Sequence, residues 1–489
     1  MNNRNPHKNT ALTALLFCML MLSNLILTSC GSDSTVSSQT DTSPSTSSDT
    51  AVETEEIIPI EKRNFDGYEF KVLSISKEEG SKAPDDIYVE SENGEVLNDA
   101  VYKRNSVVND VMNVKITQAI PSVPRSGLAK FITPLLLAGD PIYDISLINF
   151  DTLDTVLFTK GANVDLKEIT TLDLDAEWWD QESRSAFSVN GKEYTVTGAI
   201  NLRTAYALYG VLFNTDMVSK LSLESPYKLV ADGKWVVDEM LKQMQAVKAD
   251  LNGDGQMDDN DRYGLIATNA SFRYLLSGAG QELVIMGSNG IPEINKSEEL
   301  YNAINKLYPV ASQRYLSQAY ANKTGNLSDL FISDQALFYQ TSVGSGLRGM
   351  ESNYGIIPAP KLNESYDRYY CPVACSTATA LIVPSWNTDL DRVGYVTDAL
   401  GYYSKEFVLP AYYESTLEAK AIRDDESLEM LDIMVNSKIF VLNDVFNFGK
   451  SQNILTGLVT SGTNNFASEY ASFEGAIKAD IDKFVESIS

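Results

Sequence analysis

The chain is 489 residues long, which suits two domains or one large one. It carries 66 acidic against 39 basic residues, a net charge of -27, and this field repels nucleic acid and anionic lipid surfaces, so neither is an expected partner. The only histidine, His7, lies in an N-terminal leader, so a processed chain has none; this excludes Ser-His-Asp and Cys-His nucleophiles and imidazole zinc sites, and leaves carboxylate-only chemistry such as two-carboxylate glycoside hydrolysis.

The first 29 residues read as an export signal. Arg4 and Lys8 give a basic start, Ala11 to Leu27 is almost wholly apolar, and Leu27-Thr28-Ser29-Cys30 follows. These last four residues resemble the lipobox of bacterial lipoproteins. The resemblance implies cleavage before Cys30, acylation of Cys30, and a chain held on the outer face of the cell membrane by lipid alone. An uncleaved membrane helix is the competing reading, but Ser23 and Asn24 interrupt a run already marginal for a span. No later stretch is long and apolar enough to cross a bilayer.

Residues 30–60 are rich in Ser, Thr and Asp and read as a flexible tether, since they bury too little to offset their ordering entropy. Folding is expected to begin near Phe65. Tyr68 to Ser76 alternates as a strand; Leu97, Val101, Val108 and Val111 recur at helical spacing; Asn113 to Ile116 reads as a second strand. Phe131 to Ala138 is helical in tone, and Tyr143 to Ile148 is a candidate buried strand. Tyr194 to Ile200, Tyr209 to Phe213, Tyr354 to Ile357 and Ala378 to Val383 are further short strand-like runs. Amphipathic segments such as Glu298 to Leu307 and Val393 to Lys405 lie between or after them. This alternation predicts an α/β fold with a largely parallel sheet. Cys371 and Cys375 are either a disulfide or two buried thiols; neither reading implies catalysis.

The segment Asp250 to Asp261 (DLNGDGQMDDND) places oxygen side chains at loop positions 1, 3, 5, 9 and 12 and glycine at position 6. That spacing matches an EF-hand-type calcium loop, with Asp250, Asn252, Asp254, Asp261 and the Gln256 carbonyl as ligands and Ca2+ as a structural cofactor. Aspartate at position 12 has a shorter reach than the usual glutamate. An unmetallated acidic turn is the alternative.

Six segments then carry a resemblance: Asn93-Gly94-Glu95-Val96-Leu97-Asn98-Asp99-Ala100; Ala138-Gly139-Asp140 with Tyr143-Asp144; Gly210-Val211-Leu212-Phe213-Asn214 with Asp216; Asp232-Gly233-Lys234-Trp235; Asp261-Arg262-Tyr263-Gly264-Leu265; and Gly355-Ile356-Ile357-Pro358-Ala359-Pro360-Lys361. In order and spacing, from about residue 65 to about 430, they resemble extracellular solute-binding proteins of the carbohydrate importer type (family 1). The resemblance implies a two-lobed periplasmic-binding-protein-like fold (type II), with lobe one at 60–203 and 368–407 and lobe two at 204–367 and 408–489. It also implies an interlobe cleft that closes on its ligand, a carbohydrate as that ligand and an ABC permease as partner; a cleft that must open and close on a tether favours a monomer.

Such a cleft forms where strand carboxyl ends meet, which selects candidate ligand contacts. Asn149 and Asp151 follow one strand, Asn201 and Arg203 mark the first crossing, and Tyr369 and Tyr370 the second. One of Trp178 and Trp179 is a stacking candidate, since neighbours on a helix point about 100° apart. Each has a rival reading in packing or surface structure. Trp235 reads as a packing anchor and Arg348 as the partner of an acid. Two rival functions stay open: a secreted two-carboxylate glycoside hydrolase, and a binding protein for a peptide or polyol.

Overall fold

The computed structural model describes residues 60–75, 86–157, 159–258, 260–268, 271–313, 327–343, 350–418 and 424–488. The leader, Cys30, nearly all of the tether and Arg348 lie outside them. Packing is already present before the expected Phe65: Ile60 is buried, and the Arg63 amide donates to the Val111 carbonyl at 3.0 Å.

The first sheet has the order Thr379–Ile382 (β11), Ile145–Asn149 (β3), Tyr68–Ser74 (β1), Val114–Ala119 (β2). Strands β1 (Tyr68–Ser74), β2 (Val114–Ala119) and β3 (Ile145–Asn149) run parallel, with Val72 opposite Gln118 on one side and Ile145 on the other. The helix Val96–Met112 connects the first two. It starts where Asp99 accepts the Asn93 amide at 2.9 Å, and it stops at Asn113, whose left-handed φ of 45° closes the last turn. Its buried Arg104 donates to the carbonyls of Asp86 and Ile87 at 2.8 and 2.6 Å, so one guanidinium fastens the segment before it.

The second sheet has the order Tyr263–Ile266 (β5), Ala336–Ser342 (β8), Tyr209–Asn214 (β4), Tyr354–Ile357 (β9), and a separate hairpin pairs β6 (Val284–Met286) with β7 (Pro292–Ile294). Strand β4 (Tyr209–Asn214) runs antiparallel to both β8 (Ala336–Ser342) and β9 (Tyr354–Ile357), while β5 (Tyr263–Ile266) is parallel to β8. The expected parallel character therefore holds for three strands of the first sheet and, in the second, for the β5–β8 pair alone. Direction of travel explains both exceptions. Strand β4 and the antiparallel edge strand β11 (Thr379–Ile382) carry the chain away from the junction between the sheets; the others run toward it. Gly210 in β4 is required by close approach, because a Cβ there would lie 2.5 Å from Met434 Cε and 2.8 Å from the Ile357 carbonyl.

At the junction three extended segments lie side by side. Leu208 bridges Val373, and the Ala374 amide donates to the Ala207 carbonyl at 2.9 Å. On the other side, β10 (Cys371–Pro372) pairs with β12 (Lys438–Ile439). Both cysteines are buried free thiols, which resolves the disulfide question.

Three expectations are corrected here. Tyr194 to Ile200 forms no ladder; it touches β11 through a single Val196–Leu381 bridge, and Gly198 packs against the Trp178 carbonyl. The helix Leu409–Glu418, expected in lobe two, continues the helical run from Leu390, and Val408 and Tyr412 bury against Val101 and Leu202 of the first lobe. The return to the second sheet follows it, at the helix Asp425–Asn436, where Ser427 Oγ accepts the Ile356 amide at 3.3 Å. Trp178 and Trp179 stand in a turn rather than a helix.

A candidate interlobe site

The topology places the carboxyl ends of β1, β2 and β3 and those of β5, β8 and β9 at the same junction, the position where open α/β sheets hold ligands. From β3 the chain turns directly into the helix Phe150–Leu157, so Asp151 sits in its first turn, partly exposed. Its carboxylate meets Arg125 Nη2 at 3.8 Å, and Arg125 also donates to the Ser376 carbonyl. Burial raises the Asp151 carboxyl above the usual range, with Arg125 opposing.

The second lobe contributes the helix Ser271–Gly278, which follows β5. Its Arg273 lies 3.5 Å from Asp444 and donates to the Tyr274 hydroxyl at 2.9 Å. Tyr274 stacks on Tyr209, the first residue of β4, with ring centroids 4.0 Å apart. Cys375 is close enough to feel the charges of both groups. Burial pushes its thiol well up, Asp444 and Asp151 push it further, and Arg273 opposes them. The result is two arginine-held carboxylates, one from each side, beside an aromatic pair. Guanidinium forks, carboxylates and flat rings suit a hydroxylated ligand.

The other expected contacts have different partners. Asn149 is 1% exposed, and its amide donates to the Ser376 and Thr377 carbonyls at 3.1 and 3.3 Å, so it pins the junction turn. Asn201 is equally buried, between the Gly198 amide and Thr379 Oγ1. Arg203, in the short helix Leu202–Tyr206, is buried and makes no ion pair with any described residue. Tyr369 is buried, with its hydroxyl on the Val230 carbonyl at 3.1 Å. Tyr370 packs edge-on to Tyr366 beside Arg368. Neither tryptophan offers a platform in this conformation: the indoles of Trp178 and Trp179 both donate to Asp398 Oδ1, at 2.7 and 3.0 Å. Arg125, Tyr209, Arg273, Tyr274 and Asp444 were not selected from sequence. For Arg273 and Tyr274 the signal was available, since they follow β5 as Asp151 follows β3.

The acidic loop lies between the helix Val237–Val247 and β5. Gly255 takes φ 80°, the sharp turn that position 6 requires. Asp250 accepts the Gly253 and Gly255 amides at 2.6 and 2.8 Å, and Gln256 donates its amide to Asp254 at 2.8 Å. Asn252 accepts the Asp254 amide at 2.9 Å. Asp261 is fully buried and takes the Leu251 and Asp258 amides at 2.9 and 2.7 Å, bonds that hold its carboxyl below the usual range. Among the described residues, no group of three or more acidic, His or Cys side chains converges as a metal cage.

No family model matches the sequence, and no curated protein matches it closely enough to count. Solved structures do match. The sugar-binding protein MalE from Xanthomonas citri aligns with a TM-score of 0.57 at 13% identity, covering 85% of this chain and 98% of its own. The galacto-N-biose-/lacto-N-biose I-binding protein of the ABC transporter from Bifidobacterium longum, in complex with lacto-N-biose, gives 0.56 at 12%, covering 86% and 98%. The cyclic alpha-maltosyl-1,6-maltose binding protein from Arthrobacter globiformis gives 0.55 at 14%, covering 85% and 99%. The fold is that of ABC-transporter solute-binding proteins. No helix of the described residues is long and apolar enough to cross a membrane.

Proposed function

We propose that the protein is a lipid-anchored solute-binding protein that captures a carbohydrate, an oligosaccharide in preference to a monosaccharide, and delivers it to an ABC importer. The observation that carries this reading is the convergence of strand ends from both sheets on one junction, with Arg125–Asp151 on one side and Arg273–Asp444 beside the Tyr209–Tyr274 stack on the other. The structural neighbours named above bind sugars, which supports the ligand class. Binding needs no bond made or broken, and the cleft works as a monomer that closes on its guest. Anchoring through Cys30 rests on the leader sequence, and calcium in the Asp250–Asp261 loop rests on the ligand spacing.

A thermal-shift screen over mono- and oligosaccharides tests the ligand class. A sugar at a hundred times its dissociation constant adds about 2.7 kcal/mol of stability. A screen in which no sugar moves the melt, while a peptide or polyol does, overturns the carbohydrate assignment. New reducing ends from incubated glycans would favour the hydrolase. Cys30→Ala should release the protein from the membrane into the medium; retention of the variant contradicts the lipid anchor.

A further inference from the structure

A cavity of about 500 Å3 opens between the helix Gln181–Phe187 and the segment Gly280 to Met286, with β12 and the chain after it as its floor. None of Arg125, Asp151, Arg203, Arg273, Tyr209 or Tyr274 lines it, although Asp444 of the strand-end cluster acts on one of its carboxyls, so the cavity adjoins that cluster without sharing its lining. Its volume lies in the range of small-molecule sites and is too large for a bare ion. Phe440, Leu442 and Met286 supply apolar wall, and the charged lining is entirely acidic: Glu182, Glu282 and Glu299. Glu182 leans on Arg368 at 3.6 Å. The Glu282 carboxyl has no ion pair and no hydrogen bond with any described residue, although it lines the cavity and is half-buried.

We propose that this cavity binds an organic cation, an ammonium or guanidinium group on an apolar frame, with the charge on Glu282 and the frame against Phe440, Leu442 and Met286. A carboxyl enclosed without a counter-charge is costly in its ionised form, and an entering cation removes that cost. Burial lifts Glu282 to about 8, and Asp444, on the helix Leu442–Phe446, adds to the rise. The other charged groups facing it are Glu182 on its helix and Glu299 in the first turn of the helix Glu298–Ser312; Arg273 and Arg368 are held by Asp444 and Glu182. At neutral pH the free carboxyl is therefore protonated, and cation binding passes that proton to the buffer.

The test is calorimetric titration of the purified chain with phenethylammonium, beside 2-phenylethanol and 3-phenylpropionate as neutral and anionic probes of similar shape. Phenethylammonium should bind saturably and release most of one proton at pH 7, with affinity rising about tenfold from pH 6 to pH 7. The alcohol and Glu282→Gln should each weaken binding about tenfold or more, and Glu299→Gln less. Equal affinity for ammonium and alcohol, no proton release, or no saturable heat overturns the proposal. The probe comparison is made on the unaltered chain, so it decides the matter even where Glu282→Gln folds poorly.

Discussion

Both indoles at positions 178 and 179 share one carboxylate oxygen of Asp398, and burial lifts that carboxyl to about 6. A raised folded value means that the folded state holds the proton more tightly than the unfolded chain. The stabilisation is complete below pH 4 and is lost as pH rises through about 6. The melting-temperature advantage of wild type over Asp398→Asn should therefore shrink between pH 4 and pH 6, and an advantage that grows would contradict this account. A second pair makes a sharper case. Asp444 is buried against Arg273, so Arg273→Met leaves its charge uncompensated at a cost of about 3 kcal/mol. Arg273→Met with Asp444→Asn should recover part of that loss in denaturant melts; a double variant no more stable than the single one would refute the pairing. Position was more legible than role at this scale. The strand-end rule found Asn149, but its amide is committed to carbonyls 227 and 228 residues away, which no local pattern encodes. Trp235 was legible in both respects: it is fully buried, with its indole on the Pro358 carbonyl at 2.9 Å.

Among elements, those with strong periodicity were readable. The helix Val96–Met112 and strands β1, β2, β3, β4, β9 and β11 fall within a few residues of their expected places. Strand β8 was missed, although it sits in the middle of the second sheet, because buried on both faces it shows no alternation. The three-segment junction was also missed, since its pairs are two or three residues long and join distant parts of the chain. The antiparallel run of the second sheet depends on which strands leave the junction, a property of the path and not of any segment. The acidic loop remains the element most open to experiment. A chelator should lower the melting temperature of wild type and leave Asp254→Ala unmoved; equal melts with and without chelator would dismiss calcium.

For the whole molecule, the sequence pattern and the fold converge on one architecture: two α/β layers whose strand ends face a common junction. Neighbours at 12–14% identity keep that architecture over nearly their full length, so packing, and not particular residues, carries the likeness. The proposed function requires these lobes to move about the segments at 207–208, 371–374 and 437–439. Closure is favoured when one guest touches both sides. The most direct measurement is small-angle X-ray scattering on the purified chain, with and without the sugar that stabilises it most. The account predicts that the radius of gyration falls on saturation and returns when the sugar is removed. An unchanged radius at full occupancy, accompanied by breakdown of the sugar, would contradict it.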